Sequence, residues 1–159
     1  MINEKGLSNF EIISALENNN VTAKFFSGVY TSDQLMSAKK PKLVIANTDF
    51  SWEKGSHWIL FYINSNDNDK VICFDSTGND VYDYNIFVKN FITTHGNKYE
   101  ILKHNIQPEN TSLCGYYCLY VAYFLCVGYK LSEIKYVPSN KIIDIVNKIF
   151  VINYDDDNL

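Results

Sequence analysis

Apolar positions along the chain fall into blocks whose period switches from helical to strand-like and back. Phe10, Ile13 and Leu16 recur at helical spacing behind Ser8, and Ser8 with Glu11 forms a capping-box pattern; Asn18-Asn19-Asn20 closes this first helix. The stretch from Val21 to Lys40, with Phe25, Phe26 and Tyr30, is mixed and carries no clear period. After Pro41, Leu43-Val44-Ile45-Ala46, Trp58 to Ile63 and Val71 to Phe74 are apolar runs of strand length. The last two are joined by the polar loop Asn64 to Lys70, which predicts a hairpin. Tyr84, Phe87, Val88, Phe91 and Ile92 recur at helical spacing up to Gly96. Tyr99 to Ile106 reads as another strand, and Ile142, Ile145, Val146, Ile149 and Phe150 mark a last amphipathic helix.

One block has no polar face. From Cys114 to Val127 the chain carries no charge, and Gly128 supplies a stop, which predicts a helix buried on all sides with Cys114 in its first turn. Asn110, Thr111 and Ser112 offer capping oxygens just before it. Strands in the middle, helices at both ends and a buried helix after the sheet give an α+β class: a central mixed sheet with flanking helices, the buried helix carrying a cysteine at its N-terminus. Residues 1–153 are expected to form a single domain, and 154–159, with Asp155-Asp156-Asp157, a disordered acidic tail.

Composition narrows the function. With 159 residues, 47% of them apolar, the chain has material for one core. A net charge of -4 gives no electrostatic footprint for nucleic acid or an anionic membrane, so DNA binding is not expected. The apolar run after Leu113 is shorter than the ~20 residues that span a bilayer and holds four tyrosines, Tyr116, Tyr117, Tyr120 and Tyr123, which read as core aromatics with a wet hydroxyl. Met1 to Gly6 lacks the pattern of a secretory signal, so Cys73, Cys114, Cys118 and Cys126 are expected as reduced thiols in an intracellular setting. No second cysteine pair at finger spacing accompanies Cys114 and Cys118, so no metal is expected.

Candidate chemistry centres on Cys114. The unpaired amides of a first turn favour negative charge, and so favour the thiolate that a nucleophile needs. His57 stands at the mouth of a strand, with Trp58 beside it to shield a site. If the two runs flanking Asn64 to Lys70 pair, Asp75 returns to the end where His57 begins, and an aspartate there orients an imidazole and stabilises its charged form. Gln107, just upstream, offers a side-chain amide that with the backbone N–H of Cys114 would bind charge on a carbonyl oxygen. His95 and His104 read as surface histidines.

The order His57-Trp58, Asp75, Gln107, six intervening residues, then Cys114-Gly115 resembles the adenovirus-type processing cysteine proteases and, more distantly, the SUMO-deconjugating cysteine proteases. Phe25 to Tyr30, Val44 to Thr48 and Asn110 to Gly115 also have counterparts, so the resemblance covers about residues 8 to 130. It implies Cys114 as nucleophile, His57 as general base, Asp75 as its partner, Gln107 in the oxyanion hole, and Trp58 and Gly115 as substrate contacts. Asp75 stands where adenovirus-type enzymes carry Glu, while Asp is common in the deconjugating branch. The implied activity is a cysteine endopeptidase cutting precursor polypeptides after small residues, with a deconjugase of ubiquitin-like tails, or an inactive relative that only binds them, as alternatives. If the origin is viral, host cell and virion are the expected location, and the chain is expected as a monomer. Adenovirus enzymes use DNA and a disulfide-tethered viral peptide as cofactors. Here Gly96 occupies the position eleven before Gln107 where the tethering cysteine would stand, so a non-covalent activating peptide is the most that is expected.

Overall fold

The computed structural model describes residues 5–63 and 69–155. Residues 64–68 of the expected hairpin loop, 156–159 of the expected tail and 1–4 of the segment read for a leader lie outside them. Five strands, β1 (Phe26–Thr31), β2 (Leu43–Asn47), β3 (Trp58–Ile63), β4 (Lys70–Phe74) and β5 (Lys98–Ile101), form one sheet in sequence order. The outer pairs β1–β2 and β4–β5 are parallel and the inner pairs β2–β3 and β3–β4 antiparallel, which makes the sheet mixed. The helices are α1 (Asn9–Asn18), α2 (Ile86–His95), α3 (Cys114–Val127) and α4 (Ser139–Ile149).

Side chains alternate across a strand, so each face of the sheet feeds a separate core. Leu43, Ile45, Leu60, Tyr62 and Phe74 pack with α1, α3 and α4, while Val44, Ala46, Ile59, Phe61, Val71 and Cys73 pack with Leu35, Val88, Phe91 and Ile92 on the other side. Strands β2 and β3 are therefore covered on both faces, which is why they read as unbroken apolar runs. Helix α3 is buried from Cys114 through Ala122, as its sequence requires, and ends on bonds from the Gly128 and Tyr129 N–H groups to the Phe124 carbonyl.

Several expectations are corrected. The capping box of Ser8 and Glu11 forms, but the buried stripe of α1 is Ile12, Ala15 and Leu16, and Phe10 is left 69% exposed. Glu11 takes the inward position instead, because its carboxylate accepts from the Ser8 and Asp155 N–H groups. Tyr154, at the start of the expected tail, donates to Asn147 Oδ1. The mixed stretch after Val21 contains β1, whose register shifts between Phe26 and Val29 and so hides the two-residue period. Strand β5 stops at Ile101 rather than Ile106, since residues 104–107 swing away to cross the turn after β4. The core tyrosines do not share a wet hydroxyl: Tyr120 donates to the Lys135 carbonyl, and the buried Tyr117 hydroxyl has no partner among the described residues.

Candidate active site

The antiparallel register of β3 and β4 pairs Leu60 with Phe74. Carried one residue further, Asp75 lies across from Ile59 and diagonal to His57, so both side chains leave the same face of the sheet end. There His57 Nε2 donates to Asp75 Oδ1 at 2.7 Å, with the carboxylate fully buried and the imidazole partly so. Nδ1 is left for Cys114, which stands in the first turn of α3, lines the same cleft and acts on the imidazole. Burial would lower the His57 pKa. The bonds to Asp75 and Cys114 and their charge outweigh it and raise the value from 6.5 to about 9. Burial likewise works to raise the Asp75 pKa, but the bonds from His57, Tyr84 and Thr77 hold it below the ordinary 3.8. The imidazolium is thus the favoured form of the ring.

Two further groups grip Asp75. Thr77 donates to Oδ1 from its backbone N–H at 2.8 Å and its hydroxyl at 2.7 Å, and the Tyr84 hydroxyl donates to Oδ2. With both oxygens occupied, the carboxylate cannot rotate away from the imidazole. Sequence reading missed both positioning residues. Tyr84 was counted on the apolar face of a helix, yet it follows a 3₁₀ turn (Val81–Asp83) and precedes the Asn85 cap of α2. Thr77 carried only the signal of a turn after a strand.

The same turn holds Gln107. The carbonyl of Ser76 accepts the N–H groups of Ile106 (2.9 Å) and Gln107 (3.1 Å), and the Ser76 hydroxyl donates to Gln107 Oε1. The crossing is close: a Cβ on Gly78, which has φ +78, would lie 2.5 Å from the His104 carbonyl carbon, so only glycine fits. Gln107 is 7% exposed, and its Nε2 donates to the Thr111 carbonyl at 2.9 Å. An amide nitrogen carries two hydrogens, which leaves one for a ligand.

The expected side-chain cap on α3 does not form. Leu113 is the N-cap residue and supplies no side-chain bond, while the Thr111 hydroxyl turns back to the Pro108 carbonyl. The consequence favours chemistry, since the first-turn amides beside Cys114 keep their donors. Cys114, His57, Gln107 and Trp58 all line one cleft of about 920 Å³, walled by residues 5–9, 29–31 and 53–56. Trp58 is pinned by its Nε1, which donates to the Leu7 carbonyl at 2.9 Å. Gly115 does not line the cleft. It is buried beneath it, where a Cβ would sit 3.1 Å from Leu7 Cβ and 3.3 Å from Trp58 Cδ1, so its smallness serves packing under the indole. Of the other histidines, His104 is exposed and His95 half-buried.

The other thiols differ from Cys114 in surroundings. Burial raises Cys73 and Cys118 well above an ordinary thiol and Cys126 to about 12, and Cys118 donates to the Trp58 carbonyl at 3.5 Å. What the cleft assembles is a thiol, an imidazole oriented by a carboxylate, and two N–H donors, the parts of an acyl-transfer site. Gln107→Ala is expected to lower kcat by roughly 10²-fold with KM little changed, as for a lost oxyanion donor. A loss carried by KM alone, in steady-state kinetics, would make Gln107 a substrate contact instead.

No family model and no curated protein sequence matches the chain. Solved structures do. The ASFV pS273R protease superposes with a TM-score of 0.70 at 15% identity, over 95% of this chain and 69% of that one, and its selenomethionine form with 0.66 at 16%, over 95% and 70%. The SUMO protease Ulp1, with its catalytic cysteine oxidized to a sulfonic acid, gives 0.56 at 14%, over 93% of this chain and 77% of that one. At such identities the likeness is one of fold, and it does not single out the adenovirus type. In fold, this chain is similar to the ASFV pS273R protease and to the SUMO protease Ulp1, with the mixed sheet and flanking helices that its sequence predicts.

Proposed function

We propose that the chain is a cysteine endopeptidase that cuts precursor polypeptides after a small residue. The observation that carries this reading is the 2.7 Å bond from His57 to Asp75 at the edge of a cleft that also holds Cys114 and Gln107. The proton shared by Cys114 and His57 rests on Nδ1 as the sulfur attacks the scissile carbonyl. The oxygen that becomes negative is held by the free N–H of Gln107 Nε2 and the backbone N–H of Cys114. The C–N bond breaks as the imidazolium protonates the leaving amine, which leaves a thioester on Cys114. Water, giving a proton to His57, then attacks the thioester and releases the acid and the thiol.

The reading of the substrate rests on Trp58. On this reading the indole, fixed by Leu7 at the cleft, narrows the path beside the scissile bond and selects a small residue before the cut. Peptides with glycine there are expected to be turned over at least tenfold faster, in kcat/KM, than the same peptides with valine; equal rates would remove Trp58 from the substrate path. A deconjugase of ubiquitin-like tails is the second reading, supported by the likeness to a SUMO protease. Incubation with glycine-containing peptides and with ubiquitin-like fusions, scoring which are cut, separates the two. Cleavage of neither would sink both and leave a module that only binds such tails.

The enzyme is read as needing no covalent activator. A tether needs an exposed thiol, whereas Cys73 and Cys118 are buried and Cys126 is half-buried on the apolar helix. Any activating peptide therefore binds without a disulfide, and the reduced thiols fit an intracellular site of action, in host cell and virion if the origin is viral.

A further inference from the structure

Between β2 and β3 the chain makes a loop, 48–56, that is built more firmly than its exposure requires. Asn47 Oδ1 accepts the N–H groups of Asp49 (2.9 Å) and Ser56 (3.3 Å), so one buried side chain spans both ends of the loop. Asp49 accepts from the Gly55 N–H at 3.1 Å and the Ser56 hydroxyl at 3.0 Å. Asp33 accepts from the Ser51 N–H and hydroxyl, both at 2.7 Å. Polar groups thus tie the loop at both ends and along its length.

Yet the loop carries aromatics on its outside. Phe50 packs against Trp52 with ring centroids 4.9 Å apart and against Phe87 of α2 at 5.5 Å. Trp52 is nonetheless 72% exposed. Single exposed apolar residues are ordinary, but a rigidly mounted aromatic ridge that borders a cleft is a mark of binding. The ridge is continuous with the cleft, because Phe50 lines it together with Glu53, Lys54 and His57.

Its position also gives a direction. In acyl transfer the imidazole must reach the leaving amine to protonate it, so the segment downstream of the scissile bond leaves past His57. The ridge sits on the loop that runs straight into His57, its Thr48 N–H bonded to the His57 carbonyl at 3.0 Å. We propose that Phe50 and Trp52 form a specificity ridge that binds a large apolar side chain of the substrate polypeptide, downstream of the cut. This rests on the endopeptidase reading and adds to it a second requirement, apolar after the cut as well as small before it.

The test uses Cys114→Ala, which binds without cutting, and fluorescently labelled peptides with a central glycine pair and alanine elsewhere, into which leucine or phenylalanine is placed at each flanking position in turn. Anisotropy should show one downstream position at which the large residue tightens Kd by about tenfold or more. Trp52→Ala in the same background should abolish that gain while leaving the all-alanine peptide unchanged, and Trp52→Phe should keep most of it. A gain only upstream, a gain that survives Trp52→Ala, or no binding by any peptide at millimolar concentration would overturn the proposal. So would self-association of the peptide-free chain that Trp52→Ala abolishes, which would assign the ridge to a second copy. Turnover by the wild-type chain is scored separately: the downstream preference without cleavage would sink the hydrolase reading and leave the ridge standing.

Discussion

Cys114→Ala and His57→Ala are each expected to lower kcat by about 10⁵-fold or more, and the double variant to be no slower than either alone. The reason is geometric. The thiol acts on an imidazole whose other nitrogen is already committed to Asp75, so neither group has a productive state without its neighbour. A substituted thiol leaves no nucleophile, and a lost imidazole leaves no acceptor for its proton and no donor to the leaving amine. Each variant keeps the cleft intact, so substrate should still bind. Single-turnover rates on a glycine-containing peptide measure the effect, and losses that multiply in the double variant would mean that the two groups act in separate steps.

Asp75→Asn is expected to cost about 10³- to 10⁴-fold in kcat, because an amide cannot hold the imidazolium as a carboxylate does. It carries a second signature in pH. The folded His57 is raised to about 9, first against burial and then by its bonds to Asp75 and Cys114. A raised value contributes stability that is complete below 6.5, where the unfolded chain is also protonated, and that disappears as pH climbs through about 9. Asp75 is lowered, so its contribution is complete above 3.8 and disappears as pH falls through the lower folded value. The pair therefore stabilises most between 3.8 and 6.5. The Tm gap between wild type and Asp75→Asn should be largest in that window and close above about pH 9, and the His57 titration, followed by NMR, should move from about 9 toward 6.5. A His57 titration that stays near 9 in the variant would show that Asp75 does not set the imidazole.

How much of this was legible beforehand varies by residue. His57 and Asp75 could be paired from sequence because two apolar runs on a short polar loop have one simple arrangement, and its far end brings those two residues together. Helix α3 was legible from its unbroken apolar run, and Gln107 from the resemblance. Tyr84 was not, because its spacing to Phe87 and Val88 suits a helix that begins only at Ile86. Ser76 was not, since a serine in a turn announces nothing until the chain at 104–107 is seen to cross it. Strand β1 was hidden by its own bulge, and the missing cap on α3 was hidden by three residues that usually cap.

The turn at 75–78 has one more consequence. Asp75 holds the imidazole, Ser76 holds the Gln107 amide, and Gly78 admits the crossing segment 104–107 on which that amide rides. On the proposed mechanism, errors in the position of this one turn are shared by base and oxyanion hole, so disturbing it is expected to disable both together. Near its melting range a preparation would then be a mixture of whole and idle molecules, losing activity by headcount while each survivor works at full speed.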